Sequence, residues 1–83
     1  MPTDNEILSA IPSTEPATFS EFLNALPDVP AKGDREEWAE LFGQLNMLEG
    51  LGLIEVERAN RGGAIESLML SAEGVGAVRR ARR

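Results

Sequence analysis

Leu48-Glu49-Gly50-Leu51-Gly52-Leu53-Ile54 is where the apolar pattern of this chain changes period, and its reading decides the fold. On its N-terminal side Trp38, Leu41, Phe42, Leu45 and Leu48 recur at helical spacing, which predicts one amphipathic helix over 34–49. Asp34 is placed to cap it, and Glu36 and Glu37 occupy the first turn, where the macrodipole favours acids. Gly50 and Gly52 stop it, since either can take the left-handed conformation that ends a helix. On the C-terminal side Leu53 to Arg58 alternates, with Ile54 and Val56 on one face and Glu55 and Glu57 on the other. That alternation is a half-buried strand.

A hairpin follows. Ala59-Asn60-Arg61-Gly62-Gly63 reads as its tip, with Asn and Gly supplying backbone positions of positive φ. Ile65 to Leu70 returns with Leu68 and Leu70 towards the core. Ser71 then caps a last helix over 72–80, from which Val75 and Val78 pack inward, although Gly74 and Gly76 weaken it.

Upstream, Thr3 or Asp4 can cap a short helix over 4–11 whose Ile7, Leu8 and Ile11 form a buried stripe. Pro12 ends it, and Pro-Ser-Thr-Glu-Pro at 12–16 is a loop by composition. Ala17-Thr18-Phe19 is a short extended segment after Pro16. Ser20 is expected to cap a helix over 20–26, with Phe22, Leu23 and Leu26 at core spacing. The seven residues from Pro27 to Gly33 make a connection longer than the three or four of a compact helix-turn-helix.

Eighty-three residues make one domain, and a domain so small needs nearly every large apolar residue in a single core. With neither Cys nor His, disulfides, thiolate chemistry, Cys/His metal sites and histidine acid–base catalysis are all excluded. Glu36 and Glu40 form a carboxylate pair one helical turn apart, but no third ligand converges on them, so neither a metal site nor a cofactor is expected. Lys32 has no evident partner for nucleophilic chemistry, and an enzyme is not expected. The acidic N-terminus lacks the character of a signal peptide and no long apolar run follows, which predicts a cytoplasmic protein with no membrane partner.

The net charge of −6 conceals an asymmetry. Residues 1–57 carry Lys32 and Arg35 against twelve acids, whereas residues 58–83 carry six arginines against Glu66 and Glu73. The group Arg79 to Arg83 has three readings: favourable charge at a helix C-terminus, a basic tail along DNA, or contact with the acidic surface of a partner or a second copy. A homodimer is therefore one expectation.

Three pieces of sequence together resemble the winged helix-turn-helix family: Phe19-Ser20-Glu21-Phe22-Leu23, Leu48 to Ile54, and Leu70-Ser71-Ala72-Glu73-Gly74. The second is similar to the family's Leu-x-x-x-Gly-Leu-Ile passage from recognition helix to wing. The third is similar to its Leu-Thr-x-x-Gly exit from the wing, with Ser for Thr. The likeness covers about Asp4 to Val78. It implies an α+β fold with a three-helix core, a C-terminal β-hairpin wing and a short final helix, and a tiny strand at Ala17-Thr18-Phe19 that pairs with the hairpin. It also implies binding to double-stranded DNA as a small transcription regulator, with the third helix in the major groove.

On that reading Arg35 and Gln44 of the helix and Arg58, Asn60 and Arg61 of the wing would touch DNA. Against it, Glu36 and Glu40 would repel phosphate. The alternative is a module that binds another protein through Glu36, Glu40, Gly43 and Met47, where a small residue permits close approach and Met adapts to an irregular surface.

Overall fold

The computed structural model describes residues 2–59 and 64–81. The fold is α+β. The order is α1 (Asp4–Ser9), β1 (Ala17–Thr18), α2 (Phe19–Ala25), α3 (Arg35–Gly50), β2 (Ile54–Arg58), β3 (Ile65–Leu70) and α4 (Ala72–Ala81). The strands form one antiparallel sheet in the order β1-β3-β2. Ala17 lies opposite Leu68 on one edge of β3, and Ile54 opposite Leu70 on the other. The short extended segment thus pairs with the hairpin as expected.

Two helix starts are set by the same device. In α1 the Thr3 hydroxyl accepts the Glu6 amide while the Glu6 carboxylate accepts the Thr3 amide, and in α2 Thr18 and Glu21 do the same. Each reciprocal pair satisfies two backbone donors that the first turn leaves without partners. The expected cap of α2 was Ser20; Thr18 takes the role, because only from Thr18 does Glu21 fall at the third helical position. The first helix is also shorter than expected. It closes at Ser9 with Ala10 as its cap, and Ile11 is nonetheless buried in the core.

The end of α3 is a Schellman motif. Gly52 has φ of 78°, its amide donates to the Glu49 carbonyl at 3.0 Å, and the Leu53 amide reaches back to the Leu48 carbonyl at 3.0 Å. Of the two glycines expected to end the helix, Gly52 does so, and Gly50 is its last helical residue.

The core gathers Ile7, Leu8, Ile11, Phe22, Leu26, Leu41, Leu45, Leu48, Ile54, Leu68 and Leu70 from helices and sheet alike. Trp38 is half-buried against it, and its indole N–H donates to the Ala31 carbonyl at 2.9 Å, pinning the long α2–α3 connection. Phe42 departs from the expected core stripe and is 40% exposed. At about 100° per residue it lies a quarter turn from Leu41, on the rim of the stripe rather than its centre. Arg79 and Arg80 belong to the last turn of α4, the place that the helix-terminus reading of the basic C-terminus expects, and Arg82 and Arg83 lie outside the described residues. Among the described residues no helix is long and apolar enough to cross a membrane.

Candidate functional site

The candidate residues converge on α3 and on the hairpin that follows it. Glu36, Glu40, Gly43 and Met47 are all exposed on the outer side of α3, where the helical period puts them. A Cβ added at Gly43 would meet nothing within 4 Å, so this side of the helix is open. Arg35 is exposed at the first helical residue.

Gln44 is not on that open face. Its amide nitrogen donates to the Pro2 carbonyl at 3.0 Å and to an Asp4 carboxylate oxygen at 3.3 Å, and its carbonyl oxygen is buried without a hydrogen-bond partner. The side chain holds the start of α1 against α3. Reading a base edge would require it to give up those contacts.

Arg58 is likewise engaged. It ends β2, and its guanidinium donates to Glu49 at 2.7 Å and to the Asn46 side-chain oxygen at 3.1 Å. It ties strand to helix instead of projecting from the hairpin. A register shift between Glu57 and Arg58 accompanies this: Glu57 lies opposite Ser67 but Arg58 opposite Ile65. The extra residue is Glu66 of β3, and a bulge bends the strand that carries it. Asn60 and Arg61 lie outside the described residues.

Charge on the outer side of α3 is negative, and its apolar content is high. Val29, Phe42, Met47 and Leu51 are the large hydrophobic side chains left exposed among the described residues, and three of the four belong to α3 or its cap. Met47 and Leu51 are one turn apart, beside Gly43 and Gly50.

Phe42 occupies the flank towards the hairpin and joins a series of rings. Its centroid lies 5.8 Å from Phe19 with the planes 18° apart, and 6.3 Å from Trp38. Phe19 continues to Phe22 at 5.9 Å. Between this series and the hairpin opens a cleft of about 630 Å³ lined by Phe19, Phe42, Asn46, Arg58, Ala64 and Ile65. The sequence stripe concealed this cleft by assigning Phe42 to the core.

No group of three or more acidic side chains that could hold a metal ion is present among the described residues. The Thr18 backbone amide, and then the Thr18 hydroxyl, hold the pKa of Glu21 below the usual carboxylate range. That shift belongs to a helix cap and not to a reactive centre. Comparison of the chain with protein-family models, with curated proteins and with solved structures finds no match.

Proposed function

We propose that this chain is a winged-helix domain that docks onto another protein through the outer side of α3. The fold assignment is supported by the element order, by the sheet order β1-β3-β2, and by a helix that passes through a glycine turn directly into a hairpin. The observation that carries the docking role is that Met47 and Leu51 stay exposed one turn apart, on the side of α3 that also bears Glu36 and Glu40. Neighbouring exposed apolar side chains rimmed by charge favour a protein contact. The partner's contacting surface is apolar and rimmed with Lys or Arg to face the two carboxylates.

DNA binding by the same helix is the competing reading. It needs Gln44 and Arg58, which are engaged inside the domain, and it sets Glu36 and Glu40 against phosphate. A duplex titration separates the two. A DNA reader that neutralises about three phosphates gives a log K against log salt slope near −3, and Arg35→Ala flattens it by about one. The docking role predicts no saturable association with random or genomic duplex even at about 50 mM salt, conditions in which phosphate contacts are strong. A saturable complex with that slope overturns the proposal. A partner isolated on the wild-type chain is lost with Met47→Glu and with Gly43→Glu.

A further inference from the structure

The aromatic cleft on the hairpin side of α3 has the makings of a small-molecule site, and its contents do not depend on what the outer face of the helix binds. Its volume, about 630 Å³, lies in the range typical of ligand pockets, roughly 300–1,000 Å³. One wall is the parallel pair Phe19 and Phe42, and Ala64 and Ile65 of the hairpin lie across from it. Phe42 lines it and is 40% exposed overall, a ring with apolar area still to bury.

Among the described residues the polar lining is Asn46 and Arg58, and their mutual contact decides what they can offer. Asn46 uses its carbonyl oxygen on Arg58, which leaves its amide N–H groups as donors. Arg58 is a donor throughout. A ligand must therefore bring the acceptor. It gains little from a negative charge, because Glu49 sits 2.7 Å from the guanidinium and the chain carries −6. It gains nothing from a positive one beside Arg58.

We infer that this cleft binds a flat, uncharged aromatic molecule bearing a carbonyl-type acceptor, its ring stacked on Phe42 and its acceptor on Asn46 and Arg58. Trp38, the chain's single tryptophan, stands 6.3 Å from Phe42, so its indole N–H signal reports on the site without a label.

The test is a nitrogen-15 NMR titration of the whole chain with 2-naphthamide, with 2-naphthoate and cyclohexanecarboxamide as comparisons. The expected result is a saturable shift of the indole signal and of the Phe42 and Ile65 amides, with a dissociation constant at or below about 1 mM, as suits a ligand of this size. The naphthoate and the non-aromatic amide should each bind at least about fivefold more weakly, since one adds a poorly compensated charge and the other loses stacking. Phe42→Ala, at a partly exposed position, and Asn46→Leu, at an exposed one, should each weaken naphthamide about tenfold while leaving signals of α1 and α4 in place. Shifts scattered over the whole surface, or an affinity unchanged by Phe42→Ala, would overturn the site. Naphthoate binding as tightly as naphthamide would overturn the ligand class.

Discussion

Ser71 donates its hydroxyl to the Gly52 carbonyl at 2.6 Å and accepts the Gly74 amide at 3.0 Å. One side chain thus caps α4 and clamps it to the turn that ends α3. The Ser71 amide adds a bond to the Leu53 carbonyl at 3.1 Å. The two glycine-containing stretches, 19 residues apart at these contacts, are halves of a single joint. Ser71→Ala removes a cap and the clamp together and should cost about 1–2 kcal/mol in urea unfolding. Ser71→Thr keeps both hydroxyl bonds and should cost less.

Gly74 is buried where α4 crosses that joint, and an added Cβ would collide with the Leu53 carbonyl and touch the Leu70 side chain. The obstacle is backbone, which cannot swing aside as a side chain would. Gly74→Ala should therefore destabilise by about 1–3 kcal/mol although it improves helix propensity. Gly43→Ala is the matched contrast. It sits mid-helix with open space around it, and the same substitution should stabilise by about 0.5–1 kcal/mol. Equal effects at the two positions in denaturant melts would contradict this account of α4 packing.

Arg58, Glu49 and Asn46 fasten β2 to α3, but the ion pair is about a third exposed on both sides. Exposed pairs contribute little, typically below about 1 kcal/mol, and salt screens them. Arg58→Met should therefore leave the midpoint of thermal unfolding within a few degrees of wild type, with the difference shrinking further at high salt. A loss of several kcal/mol would mean that the guanidinium is structurally indispensable.

The parts of the fold that were legible in the sequence are those fixed by near neighbours. The turn at Gly52, the alternation from Ile54 to Val56 and the Ser71 cap depend on residues within a few positions, and each falls where the spacing puts it. The candidate site was harder to read because its side chains find partners far along the chain. Gln44 meets Pro2, 42 residues away, and no helical-wheel argument contains that contact. Arg58 looks like a hairpin cation until Glu49 and Asn46 are seen across from it. Phe42 fell on the margin of the apolar stripe, where period alone does not decide between core and surface.

Glu21 gives the chain a pH dependence whose sign follows from its cap. Its pKa is lowered in the folded state by the Thr18 amide and hydroxyl, so the native protein binds this proton less readily than the unfolded chain does. The stabilisation is fully present above the ordinary glutamate range and is lost as pH falls through the lowered folded-state value. Above that range Glu21→Gln retains an acceptor for the Thr18 amide but lacks the charge that favours a helix N-terminus. Thermal unfolding of the two proteins should therefore differ at neutral pH, wild type being the more stable. The gap should close as acid protonates Glu21, leaving two neutral acceptors of similar shape. A gap that is constant from neutral pH down to about 3, below the ordinary carboxylate value, would show that the carboxylate's charge has no part in holding α2 at Thr18.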